Sequence, residues 1–242
     1  MRRVVALYRS SVGKKILMAI TGFVWFGFLV GHMAGNLKAF QGAEVFNSYA
    51  HHLRIFGEPI LPEKGFLWAF RAFMFLAFVV HVWLSWQTSR QSWAARGTKY
   101  RKKVNQNFDF ASAFMRWGGV FILLFLVFHI LHMTTGTLHP SFDDGVAQVA
   151  NPAFDAEGHR IANAFGNLVT GLSNPLVAGI YALAMVVILL HLYHGVWSMF
   201  QTLGANHPKY ATWRRPIAVV VSIVIFLGFV SIPVAVLAGM VS

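Results

Sequence analysis

Five stretches of the chain stay apolar long enough to cross a bilayer, at about 16–37, 66–88, 116–138, 175–201 and 216–240. A spanning helix needs roughly 17–25 such residues. Inside the hydrocarbon only helices and closed barrels satisfy every backbone polar group, and no period-2 alternation supports a barrel here. The pattern therefore predicts an all-α integral membrane protein, a single transmembrane domain over residues 1–242, with four helices in a bundle and a fifth at its periphery. Gly22, Gly27, Gly31 and Gly35 on the first stretch permit close helix contact. Arg2 and Arg3 precede that stretch, but no small-residue cleavage pattern follows it, so it reads as a retained helix rather than a signal peptide. The connections 38–65 and 139–174 are long for links between bundle helices, which commonly need about 2–8 residues. They carry Pro59, Pro62, Pro140 and Pro152, and Pro175 follows the second. Short helices lying on the membrane surface are expected in them.

Composition agrees. The 242 residues are 57% hydrophobic and only 12% charged, where a soluble domain carries about 25%. The formal charge of +12 is not spread evenly. Of the 20 Lys and Arg, 15 lie in the N-terminus, the 89–115 loop, the 202–215 loop and the helix ends beside them. Every acid except Asp109 lies on the opposite side. The positive-inside rule places the N-terminus in the cytoplasm and the C-terminus outside. The basic charge is thus a topology signal, and nucleic acid is not an expected partner. The absence of cysteine excludes an iron–sulfur cluster held by this chain's own thiolates. No glycine-rich strand-turn-helix fingerprint for a dinucleotide is present.

The chemistry rests on histidine. Six of the 11 fall in spanning stretches: His32, His81, His129, His132, His191 and His194. Ionisable residues at membrane depth are rare and mark functional sites. Counted from the cytoplasmic end, His32 lies about 16 residues up its helix and His129 about 13, while His81 and His191 lie about 8 and 10 up theirs. The four fall into two layers, His32 with His129 in the outer half and His81 with His191 in the inner half. Two imidazoles facing each other at one depth suit a six-coordinate haem iron in a bundle interior, and two layers make two haems b. A zinc site would want clustered carboxylates or thiolates, and a proton relay would want acids in the spans; the spans have none. His132 and His194 each stand three residues from another candidate and are displaced toward the nearer surface, as haem propionate partners would be.

The order of these features resembles the cytochrome b subunit of succinate:quinone oxidoreductases and fumarate reductases of the five-helix, di-haem type. The residues that carry the resemblance are Gly31-His32-Met33 with Asn36-Leu37, then His81, then Gly119 with His129 and Met133-Thr134-Thr135, and finally His191 to Ser198 with Gly195. In that family one ligand lies ten residues after the glycine, selecting His129 over His132. Another lies four before a glycine, selecting His191 over His194. The family pairs the first bundle helix with the third and the second with the fourth. The resemblance further implies a flavoprotein subunit and an iron–sulfur subunit on the cytoplasmic face, holding the FAD, the clusters and the dicarboxylate site. On that reading this chain is an enzyme only as part of succinate dehydrogenase or fumarate reductase. It supplies the haems and a quinone site, with menaquinone the usual partner.

For the quinone headgroup the 43–58 segment offers Asn47, Tyr49, His51, His52, Arg54 and Glu58, of which His51, His52 and Glu58 suit proton exchange. In the family an acid lies in this region; the closest position here is Arg54, with Glu58 nearby. A rival location is the cytoplasmic mouth beside Ser10, Ser11 and Lys14. Two other functions fit the same spans: the cytochrome b subunit of a hydrogenase or formate dehydrogenase, and a transporter with no redox role.

Overall fold

The computed structural model describes residues 10–95, 110–138, 153–156, 158–205 and 207–242. It is an all-α protein with five helices long and apolar enough to cross a membrane. These are α1 (Ser11–Asn36), α3 (Gly65–Ala94), α4 (Phe110–His129), α6 (Pro175–Thr202) and α7 (Pro208–Leu237). Two shorter helices, α2 (Ala43–Ile55) and α5 (Ala164–Leu172), lie in the two long connections where surface helices were expected. The same connections also hold a 3-10 turn, Leu37–Gln41, and a two-residue antiparallel pair not foreseen from the sequence, β1 (Ala153–Phe154) with β2 (Arg160–Ile161). Arg2, Arg3, Arg9, the basic run 96–103, Asp109, Pro140 and Pro152 lie outside the described residues.

Local chemistry explains where the helices start and stop. Ser10 caps α1, its Oγ accepting from the Gly13 N–H at 2.9 Å. Asn174 caps α6, accepting from Leu176 at 2.9 Å, with Pro175 in the first turn, where a missing N–H costs nothing. The end of α7 closes on Gly239, at φ 69°: its N–H reaches Val236 O at 3.0 Å and the Met240 N–H reaches Ala235 O at 2.9 Å, the Schellman arrangement. The fifth span begins eight residues before the apolar run that predicted it. Arg214 and Arg215 are polar but still helical, since the chain leaves the hydrocarbon before it leaves the helix.

Packing sets the order of the spans. α1 lies along α3 and α6, and α6 lies along α4, so the ring runs α3, α1, α6, α4. Among the described residues α3 and α4 do not pack along each other, although Arg116 of α4 lies over Trp93 of α3 near one end. α7 stands outside the ring, as expected of a peripheral helix, yet its contact with α6 is the most extensive among the described helices, and it also touches α1. Elsewhere the spans expose large apolar side chains to their surroundings, such as Phe75, Leu124 and Leu176; patches of that size suit lipid, not water.

The two ends differ. At one, called here the capped end, α2 and α5 cover the bundle over a cluster of Phe46, Phe165, Leu168, Leu172, Tyr181, Ile232 and Val236. Asn47 ties the two cap helices together, its Oδ1 accepting from the Phe165 N–H at 2.8 Å and its amide donating to Asn163 Oδ1 at 3.3 Å. At the other, basic end, Arg90, Arg116 and Arg215 lie over the rings of Trp86, Trp93 and Trp197 at 4.9, 5.1 and 4.8 Å. Arg71 over Trp68 at 5.0 Å marks the capped end in the same way. Cation–π pairs of this kind place a charge and an amphipathic ring together at headgroup depth.

Candidate cofactor-binding site

The ring order places α1 diagonally opposite α4 and α3 diagonally opposite α6. Across the first diagonal the rings of His32 and His129 face each other with centroids 5.9 Å apart. Across the second, His81 and His191 stand 6.5 Å apart. Metal–imidazole bonds of about 2.0–2.1 Å put the centres of two imidazoles bound on opposite sides of one ion about 6 Å apart. Both pairs match that spacing. Among the described residues no three His, Asp or Glu side chains converge on a metal position, so the histidines are arranged as pairs.

The layers are well separated. Tyr181, which touches His129, lies ten residues before His191 on α6, so the layers are about 15 Å apart at 1.5 Å per residue. On α1 a similar interval of 11 residues runs from Thr21, which touches His81, to His32.

Each pair has neighbours that fix its protons. Thr21 Oγ1 gives its own proton to the Leu17 and Met18 carbonyls, at 3.0 and 3.1 Å. Its lone pair is then free to accept from His81 Nδ1–H at 3.1 Å. That tautomer leaves His81 Nε2 bare for a metal. The His81 ring packs over Gly22, where a Cβ would stand 3.4 Å from it, an ordinary contact distance.

Tyr181 does the same in the other layer. Its hydroxyl lies 2.9 Å from His132 Nδ1 and 3.2 Å from His129 Nδ1. One hydroxyl proton serves one histidine; the shorter contact assigns it to His132, and His129 then donates Nδ1–H to the tyrosine oxygen. His129 Nε2 is again left bare. His132, 2% exposed, is held there by a π-turn, Ile130–Thr134, closed by the Thr135 N–H to Ile130 O at 2.9 Å. Such turns recur at functional sites. His132 therefore acts on His129 through Tyr181.

His32 stacks on Phe28 at 5.2 Å and 12°. Asn36 donates to the His32 carbonyl at 2.8 Å and lies 3.3 Å from Nδ1. Were His32 to hold a metal through Nε2, its Nδ1 would carry the proton, and the Asn36 amide would then have to turn its oxygen toward the ring. In the fourth member of the set, His191, Nδ1 is buried without a hydrogen-bond partner. His194 sits edge-on to Trp197 at 5.8 Å, toward the basic end.

The 43–58 residues divide between two places. His52 faces outward and lines a surface depression with Lys38, Glu44, Val45, Ser48 and Tyr49. His51 and Glu58 belong instead to a polar cluster under the β1–β2 pair. His51 Nε2 lies 2.8 Å from Asp155 Oδ2, and His159 Nδ1 lies 3.0 Å from the same oxygen. The His159 N–H donates to Asp155 Oδ1 at 2.7 Å, and Glu58 stands 3.8 Å from His159 Nε2. At the basic end Ser10 is occupied as the cap of α1 and Lys14 is buried.

Partial burial opposes ionisation of Asp155, but the hydrogen bonds from His159 and His51 outweigh it and hold the carboxyl down at about 2. The hydrogen bond to Asp155 raises His159 above its ordinary value. Burial opposes that rise, while the charges of Asp155, Glu58 and Glu63 add to it. The depressed carboxyl contributes stability that is present above pH 3.8 and lost as pH falls through about 2. The raised imidazole contributes stability that is complete below pH 6.5 and lost as pH rises through its folded value. Amide exchange at Asp155, His159 and Ile161, corrected for intrinsic rate, is therefore expected to be slowest near pH 4–6.5 and to quicken above neutrality. Protection that stays flat from pH 5 to 9 would contradict the clamp.

Tyr181, Thr21, Asp155 and His159 escaped the sequence reading. A tyrosine or threonine in an apolar helix carries no spacing signal, and Asp155 meets His51 across 104 residues of chain. Comparison with protein-family models, curated proteins and solved structures finds no match to this chain.

Proposed function

We propose that this chain is the di-haem b membrane anchor of a succinate:quinone oxidoreductase, succinate dehydrogenase or fumarate reductase. It passes electrons between an iron–sulfur partner subunit and menaquinone. The observation that carries the reading is the pair of facing imidazoles on each bundle diagonal, at two depths. His32 with His129, and His81 with His191, would each hold one haem, whose iron supplies one-electron storage when bound. Thr21 and Tyr181 keep the ligand tautomers correct, and Phe28 keeps water from His32. A partner flavoprotein and iron–sulfur protein would dock at the basic end, which the positive-inside rule makes cytoplasmic, and the capped end would face outward. Two cofactors about 15 Å apart divide a hydrocarbon span of about 30 Å that one tunnelling step crosses poorly.

Purification from its native membrane tests the assignment. The expected result is a reduced-minus-oxidised spectrum of b-type haem at two per chain, with a flavoprotein and an iron–sulfur protein copurifying. A tag after Ser242 should be accessible from outside intact cells. Haem with hydrogenase or formate dehydrogenase subunits would move the chain to that class. Absence of haem would leave a transporter.

A further inference from the structure

One face of α3 is not used by the fold. Leu76, Val79, Trp83, Trp86, Arg90 and Trp93 recur at alternating steps of three and four residues, which puts them on one side of a helix. Met74, Ala77 and Leu84, which bury against the rest of the bundle, lie on the other side. The three tryptophans are about half exposed, and Leu76 and Val79 are exposed as well. Trp83 and Trp86 lie ring to ring at 5.0 Å. Arg90 lies over Trp86 at 4.9 Å, and Arg116 reaches from α4 to lie over Trp93 at 5.1 Å. The stripe is thus apolar toward mid-bundle and cationic toward the basic end.

Depth says what the stripe meets. A hydrocarbon core of about 30 Å, centred between histidine layers about 15 Å apart, ends about 7.5 Å beyond the His81 layer. Trp86, five residues past His81, falls at that level, and Leu76, five before it, falls at the midplane. Leu76 to Trp86 therefore spans one leaflet. Arg90, four residues further on, stands about 6 Å outside the hydrocarbon, within the headgroup layer.

Charge says which headgroup. Among the described residues the basic end holds no Asp or Glu, and neither Arg90 nor Arg116 has an ion-pair partner. A guanidinium stacked on a ring keeps its N–H fork free for phosphate oxygens. A zwitterionic lipid would bring its ammonium to two cations with no carboxylate to receive it, whereas an anionic lipid meets no such conflict. The capped end differs: Arg71, over Trp68, shares that end with Glu44, Glu58, Glu63 and Asp155.

We propose that this stripe binds an anionic phospholipid of the leaflet at the basic end. Arg90 and Arg116 hold its phosphate and headgroup, and one acyl chain lies along Trp86, Trp83, Val79 and Leu76. The two guanidiniums come from α3 and α4, neighbours in the ring that do not pack along each other, so the lipid ties them together. The site goes beyond the electron-transfer reading and does not depend on what the histidines hold.

Native mass spectrometry tests it, with the purified full chain titrated with phosphatidylglycerol and with phosphatidylcholine of the same acyl chains. Phosphatidylglycerol is expected to bind more tightly and to raise the unfolding temperature more. Arg90→Gln and Arg116→Gln should each cut the preference about fivefold, and the double variant about 25-fold. Arg71→Gln should leave it unchanged. Arg90→Lys with Arg116→Lys keeps both charges and should keep part of the preference, which separates lost binding from lost folding. Phosphatidylglycerol brominated on its chains should quench tryptophan emission more than brominated phosphatidylcholine, and Trp83→Phe with Trp86→Phe should remove the excess. Equal affinity for the two lipids, or a preference unchanged in the double Gln variant, would overturn the proposal. Displacement of the lipid by inorganic phosphate would make this a free-anion site instead. A preference lost when soluble subunits copurify would assign both guanidiniums to a partner protein, again against the proposal.

Discussion

If each imidazole pair holds one haem, as proposed, replacing His129 by Ala is expected to remove the haem nearer the capped end and to leave one haem per chain instead of two. His191→Ala should remove the other. A six-coordinate site that loses one of its two protein ligands would lose most of its hold on the iron, and among the described residues no third His, Asp or Glu converges with either pair on a metal position. His132→Ala and His194→Ala should keep both haems. Tyr181→Phe should also keep both, but weaken the site nearer the capped end by about 10- to 100-fold, because His129 loses the acceptor that orients it. The count is made by pyridine haemochrome against protein mass. Two haems retained in His191→Ala, with one lost in His194→Ala, would exchange the roles of those residues.

A second large effect is expected at Gly35, where α1 meets the cap. A Cβ there would stand 2.6 Å from Tyr49 Cε1 and 2.7 Å from its hydroxyl. The Tyr49 ring is also held from above by Lys38, at 5.5 Å. Gly35→Leu must therefore lift α2 from its seat, and overpacking of this kind costs about 1–3 kcal/mol. The expected readout is a rise of about 10- to 100-fold in amide exchange across Ala43–Ile55, with the helices near the basic end unaffected. Tyr49→Ala in the same chain should restore most of the protection. Exchange in α2 that does not change on Gly35→Leu would show that the cap is seated by other contacts.

The five spans and the two histidine layers could be read in advance because lipid imposes a long, one-dimensional pattern. Apolar length gives the helices, and residue counts along antiparallel helices give depth. That is why His32 and His129, on α1 and α4, could be matched without any contact information. The partners that fix the proton on each ligand follow no such rule. Thr21 and Tyr181 are ordinary residues of apolar helices until rotation about the helix axis turns them toward a histidine. The cap was legible only in outline. Its two surface helices follow from loop length, but the β1–β2 pair and its Asp155–His51 contact depend on tertiary closure. His51, His52 and Glu58 looked like one group because they are close in sequence. The turn of α2 sends His52 to one side and His51 to the other.

The stacking of the two imidazole pairs along the bundle sets an energy scale. The aromatic and cationic residues at both ends hold the spans at a fixed height, so the interval of about 15 Å between the pairs takes up about half of a hydrocarbon thickness of about 30 Å. A full crossing is worth about 2.3 kcal/mol per charge at 100 mV. With a haem on each pair, as proposed, an electron passing between them would gain or lose about 1.2 kcal/mol for each 100 mV, roughly an eightfold bias in how it is shared between them. On the proposed reading the membrane voltage would act on this protein as a redox effector, favouring one pair over the other with no moving part.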